Sequence, residues 1–318
     1  MIDNIRVLNL TTGVELSMGK ARGFAYILDT DGIVWNDVQA THNSYVNLTG
    51  VGNTITSSKL ETRTVSVTGK VCPTHTNKQI AELYDLSTVA EIAAKKIEEI
   101  EEYKKYLSQL INPLHYIRVI SNDYYIQGKP QASVNFSPNW KENNEVYCKF
   151  TFSLECNDPL FHSKASNETQ LSGTFGGFHF PVVIPSPNGM HFGIRKSYQL
   201  VNVSNSGDIS LGGIIHLKAT GTVVNPVLTN VNTQEFIKIN KTLSSGEVIE
   251  IDTTNRKIRG SVDGETFTNY FAYWNFDNTW FQFDVGDTLF GFSTADQTYK
   301  NLNMWIEINK SYYSMEEQ

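Results

Sequence analysis

The sequence predicts a mainly β protein of two domains, the first of which carries one long helix. Three observations predict this. The chain has 318 residues, more than a single hydrophobic core usually serves. Its 15 Tyr and 17 Phe favour half-buried sheets, where aromatic rings pack on a pleated surface. Short runs of alternating apolar and polar residues, punctuated by Gly, Asn and Pro, recur along most of its length.

The first domain is expected over residues 1–162. Arg22-Gly-Phe-Ala-Tyr-Ile-Leu-Asp29 and Ile33-Val-Trp35 read as strands joined by an Asp29-Thr-Asp-Gly32 turn, and Thr62 to Gly69 alternates with period two. A helix follows over about 77–112. There Val89, Ala93, Ile97, Ile100, Leu107 and Ile111 recur at three- and four-residue spacing and mark one face. Glu91 with Lys95 and Glu101 with Lys105 stand at i,i+4 on the solvated side, and Pro113 ends the run. Such a helix covers a core or stands at a subunit boundary. Strands resume at Leu114–Ile120, Tyr124–Gly128, Ala132–Phe136 and Val146–Cys156, the last closed by Asn157-Asp-Pro-Leu-Phe161.

The polar stretch 163–173 marks the domain boundary, and the second domain is expected over 163–318. Between Gly207 and Thr254 short alternating segments are separated by a turn every few residues, the framework of a β-sandwich. The aromatic segment Phe267 to Phe283 follows, and Asn303-Met-Trp-Ile-Glu-Ile308 reads as the closing strand. Gly173 to Pro181 is rich in aromatics and glycine, and an extra element would best fit Phe178 to Met190, around Pro181, Pro185 and Pro187.

Charge and composition exclude several functions. The formal net charge is −7 and no Lys/Arg run has the density of a nucleic-acid footprint. No stretch reaches 18 apolar residues, and the Met1 region lacks a signal-peptide profile, so folding in a cytoplasm is expected. Cys72, Cys148 and Cys156 lack metal spacing, and the latter two suit small buried hydrophobes. Asp29, Asp31 and Gly32 open like a calcium loop, but the later carboxylates are missing. Histidines 42, 75, 115, 162, 179, 191 and 216 stand singly; His115 and His216 fall in strand patterns, where a hydrogen-bonded structural role is expected. Ser210, Ser245 and Ser261 lack a nucleophile elbow, and Glu247, Glu250 and Asp252 lie on a turn and strand that leave them exposed. No catalytic residue, cofactor site or metal site is expected.

With those strands in view, the sequence resembles the distal tail proteins of long, non-contractile-tailed bacteriophages. The resemblance is carried by Asn205-Ser-Gly-Asp208, Ile214 to Ala219, Asn225-Pro-Val-Leu-Thr-Asn230, Phe236 to Asn240, Gly246 to Thr253, the Phe281-to-Gly286 turn and Trp305-Ile-Glu-Ile308. Cys156-Asn-Asp-Pro-Leu-Phe161 at the junction adds to it. The likeness covers 156–313 well and the N-terminal half more loosely; the long charged helix and Gly286-Asp-Thr288 depart from the family pattern. It implies an N-terminal β-sandwich-like ring domain and a galectin-like C-terminal sandwich. It further implies a homohexamer at the virion tail tip, between the tail tube protein and the tail-tip hub protein. Receptor-binding or baseplate proteins would attach outside, and DNA would pass through the channel without specific binding. No membrane partner is implied.

Trp274, Trp280 and Phe281 are the residues for which a contact role is expected. Three readings of them stay open: core, subunit interface, or a platform on which sugar rings stack. The last corresponds to an alternative function, a carbohydrate- or host-surface-binding module, which calls for a shallow exposed groove lined by Trp274 and Trp280.

Overall fold

The computed structural model describes residues 4–21, 23–46, 51–176, 193–197, 200–296 and 298–315, and of 167, 170, 172–176 and 193–197 the backbone alone. Two compact units divide the chain, Met1–Lys164 with Tyr313–Gln318, and Ala165–Tyr312. The expected Phe178-to-Met190 element, His179 and His191 lie outside the described residues.

The first unit contains β1 (Asn4–Asn9), β2 (Glu15–Gly19), β3 (Tyr26–Trp35), β4 (Ala40–Val46), β5 (Asn53–Leu60) and β6 (Arg63–Val71). Helices α1 (Asn77–Tyr84) and α2 (Val89–Leu110) come next. Then follow β7 (Ile117–Ser121), β8 (Tyr124–Pro130), β9 (Asn135–Phe136), β10 (Cys148–Cys156) and β11 (Phe161–Ser163). Its main sheet runs β11-β8-β7-β1-β2-β3-β6-β10-β9, and β8 also pairs with β10 through Leu154 opposite Pro130. That pairing closes the path from β8 to β10 on itself. Strands β6 and β10 show why the alternation was readable. Val65, Val67, Phe150, Phe152 and Leu154 point into the core, while Ser66–Ser153 and Thr68–Thr151 pair by their hydroxyls on the other face.

Asp29-Thr-Asp-Gly32 is not a turn between two strands. It is an irregularity inside β3, where the pairing with β6 shifts register between Leu28 and Ile33. A side chain at Gly32 would stand 2.5 Å from the Thr68 carbonyl, so glycine is what allows the close approach. Asp29 pairs with Lys70 at 3.2 Å and Lys149 at 4.0 Å.

The helical pattern over 77–112 is divided. Asp85 takes a left-handed conformation (φ 53°) that ends α1, and Thr88 restarts the chain as α2. Both helices begin with a capping box, Thr76 with Gln79 and Thr88 with Glu91. Glu91 is therefore occupied at its own helix end, and the ion pairs on α2 are Lys95–Glu98 at 2.6 Å and Lys104–Glu101 at 2.7 Å. Ile100, Leu107, Leu110 and Ile111 are buried, but Val89 is 83% exposed although it shares their face. The start of α2, Val89–Glu91, is thus uncovered, and burial begins at Ile92 and Ala93.

In the second unit lie β12 (Asn167–Gly176), β13 (Gly193–Ser197), β14 (Leu200–Asn205), β15 (Ile214–Ala219), β16 (Val223–Asn230) and β17 (Phe236–Lys238). They are followed by β18 (Thr242–Leu243), β19 (Val248–Asp252), β20 (Lys257–Ser261), β21 (Thr268–Asn269), β22 (Gly286–Ala295) and β23 (Leu302–Ile308). One sheet runs β13-β12-β23-β15-β19-β20-β21; the other runs β14-β22-β16-β17, with β18 beside β16. Leu217, Ile249, Met304 and Ile306 of the first sheet share one core with Val203, Leu228, Ile237, Phe290 and Phe292 of the second.

Candidate functional site

The aromatic segment after β21 is built on the edge of the second sheet. Strand β17 ends that sheet, and Asn278 completes its ladder: the amide accepts from the Lys238 N–H and donates to the Lys238 carbonyl, both at 2.8 Å. The Thr279 N–H donates to the Phe236 carbonyl at 3.1 Å, and the Asn240 N–H to the Tyr273 carbonyl at 2.9 Å. A single 3₁₀ turn, Phe271–Tyr273, brings the chain across, with the Asn269 side chain accepting from the Phe271 N–H.

These anchors fix the rings. Trp274 and Trp280 stack with centroids 3.9 Å apart and planes 13° from parallel, and Phe271 stacks on Trp274 at 6.3 Å. Both tryptophans pack against the core while staying partly exposed, and Phe276 is 97% exposed beside them. Phe281 is different. It is 3% exposed and packs on Phe283 and Phe290 inside the unit, out of reach of any ligand.

Beside Tyr270 and Tyr273 lies an ion pair with a buried carboxylate. Glu247, 2% exposed, meets Lys241 at 3.1 Å, and the ammonium lies 5.0 Å from the Tyr273 ring and 5.5 Å from Tyr270. Burial, then the nearby Glu247 carboxylate, pushes the Tyr270 phenol up from its ordinary value. Tyr270 covers Gly260 so closely that an added Cβ would fall 2.1 Å from its ring. This chemistry is apolar and aromatic on the outside and a neutralised charge pair within. It suits docking rather than proton transfer.

The other sequence candidates are tied into structure. Glu247 is buried rather than exposed, because Lys241 and the Ser244 N–H hold it. Glu250 pairs with Arg259, and Asp252 accepts from the Asn255 backbone and side chain at 2.9 and 2.7 Å. Ser210 donates to Asp284 and Ser261 to Asp263. His216 stacks on Trp305 at 4.9 Å with Glu307 at 3.4 Å. His115 lies in the turn before β7, not in a strand, 3.1 Å from Asn9. Cys148 and Cys156 are fully buried, and burial pushes the Cys156 thiol up to about 12, which suppresses its thiolate. Among the described residues no group of three or more His, Cys, Asp or Glu could hold a metal ion.

A cavity of about 190 Å³ beside α1 and α2 is lined by His75, Ile80, Tyr84, Glu99 and Tyr103 among others. It falls below the several hundred Å³ usual for ligand sites. The Glu99 carboxyl there accepts from the Thr74 N–H, the Thr74 hydroxyl and the Tyr103 hydroxyl, with His75 3.0 Å away. Burial disfavours its charge, but these hydrogen bonds outweigh burial and hold it below its ordinary value. The group braces the 72–76 loop against α2. Nothing in the sequence announced it, nor the role of Asn9, whose buried amide donates to the Leu110 carbonyl at the end of α2 and accepts from the Thr11 and Thr12 N–H groups.

Comparison with known proteins finds a family match for part of the second unit and fold matches for the chain. Residues 206–304 match the family model described as siphovirus-type tail component, C-terminal domain. In fold the chain is similar to the Dit protein of phage SPP1, described as a paradigm of hub adsorption apparatus in phages infecting Gram-positive hosts. That match is 11% identical, has a TM-score of 0.58 and covers 96% of this chain and 98% of that one. A chain of the phage P2 baseplate in its activated conformation with calcium matches at 10% identity and a TM-score of 0.43, covering 96% and 98%. No curated protein matches in sequence. Residues 206–304 are thus similar to the C-terminal domain of siphovirus-type tail components, and the chain as a whole shares its fold with SPP1 Dit.

Proposed function

We propose that this chain is a structural hub protein of a phage tail tip: a homohexameric ring that joins the tail tube to the tail-tip hub. The first unit builds the ring, the second is a galectin-like outer domain that anchors receptor-binding or baseplate proteins, and DNA passes through the channel without specific binding. The observation that carries this reading is the family match of residues 206–304, set within a chain whose fold is similar to SPP1 Dit from end to end. Its chemistry agrees. The acids, serines and histidines named above serve turns, strand pairs and buried ion pairs, as expected of a protein that works through interfaces. Light scattering and negative-stain microscopy of the protein, alone and with tail-tube and hub proteins, test the reading. Six-membered rings are expected; a protein that stays monomeric with both partners present contradicts it.

The stack of Phe271, Trp274 and Trp280 favours a second reading, in which the second unit binds a glycan directly. One face of Trp274 is taken by Trp280 at 3.9 Å, so a sugar ring would stack on the exposed remainder of the tryptophan pair or on Phe276. Calorimetry against host-wall glycans decides: binding heat that Trp280→Ala abolishes supports it, and no heat above buffer rules it out.

A further inference from the structure

Trp274 and Trp280 flank a tight turn, Asn275-Phe276-Asp277-Asn278, and their stacked rings close its base. The turn is held in three ways. The Asn278 N–H donates to the Asn275 carbonyl at 3.1 Å, and the Asp277 N–H donates to the Asn275 side chain at 3.1 Å. The Asn278 amide is itself pinned to the Lys238 backbone by two hydrogen bonds. Both asparagines therefore serve the turn, and its two central residues, Phe276 and Asp277, are left facing solvent.

Neither central residue is explained by the fold. The middle of such a turn accepts most residues, and a polar one there would expose no apolar surface to water. Phe276 is nonetheless almost wholly exposed, beside two partly exposed tryptophans. Asp277 is exposed next to it, and among the described residues no cation pairs with it. Lys238 supports the turn through its backbone. Electron-rich ring faces and a carboxylate without a partner stand together on a rigid tip. That combination attracts a cation, accepts neutral hydroxyls and repels an anion.

We propose that this turn, together with Trp280, binds a glycan that carries ammonium groups. The inference rests on the glycan reading of the second unit and names the class of glycan. The ammonium meets the Asp277 carboxylate and the Phe276 ring, while the apolar C–H face of the sugar lies on the exposed part of the tryptophan pair. Little order is lost on binding, because the hydrogen bonds of the turn already fix the tip. The same carboxylate disfavours polymers rich in phosphate or carboxylate.

Titration calorimetry on the full chain tests this with two probes built on one sugar ring, a glucosamine tetramer and its N-acetylated counterpart. The measurement is made at mildly acidic pH, where the free amine is charged. The glucosamine tetramer is expected to bind at least about tenfold more tightly than the acetylated one. Asp277→Asn, at an exposed turn position, should erase that preference without disturbing the fold. Equal binding of the two tetramers, or a preference that survives Asp277→Asn, overturns the charge selection and leaves the glycan reading standing. No heat with the glucosamine tetramer overturns the inference as well, and titration with host-wall glycans then shows whether the glycan reading survives it. A tetralysine peptide that binds where the glucosamine tetramer does not overturns the sugar as occupant.

Discussion

At the scale of single residues, the aromatic segment separates into members that hold the fold and members that face outward. Phe281 fills the core of the second unit, so Phe281→Ala should cost about 3–5 kcal/mol in chemical denaturation. Trp280→Ala, at a partly exposed position, should cost clearly less while changing what the surface can bind. Glu99 gives a pH signature. Because its folded pKa is depressed, its contribution is complete above the ordinary value of 4.5 and lost as pH falls through the folded value. The stability gap between wild type and Glu99→Gln should therefore narrow as pH drops below 4.5; a constant gap would show that shape, not charge, matters. Asn9→Ala should cost about 1–3 kcal/mol, since it strips the buried Leu110 carbonyl and the Thr11 and Thr12 N–H groups of their partner.

At the scale of elements, the helix pair shows what a sequence carries and what it hides. The facing positions Ile100, Leu107 and Ile111 were legible because a 3.6-residue period is a local pattern. The break at Asp85 was not, because a left-handed aspartate leaves no mark on that period. Two signals that could have exposed it are present, Thr76-Asn-Lys-Gln79 and Thr88-Val-Ala-Glu91, each the signature of a helix start. Thr88→Ala should cost about 0.5–2 kcal/mol, measured by unfolding, and fray the first turn of α2. The strands were read from their alternation, yet the closing pair of β8 with β10 depends on register between distant segments. Likewise Trp274 and Trp280 could be named from sequence, but their mutual stack could not. It follows from Asn278 plugging the edge of β17, a contact across 40 residues.

At the scale of the whole molecule, surface features of both units meet the needs of an assembly. The first unit holds an uncovered hairpin and the exposed start of α2 at Val89, and the second presents stacked aromatics beside its edge strand. Such patches are liabilities in a free protein and assets in a stack of rings. The most direct measurement is a density map of an intact tail tip containing this chain. The account predicts six copies in one ring beneath the last tail-tube ring, with the second unit of each outermost. A map showing a different copy number, or the second unit lining the channel, would contradict it.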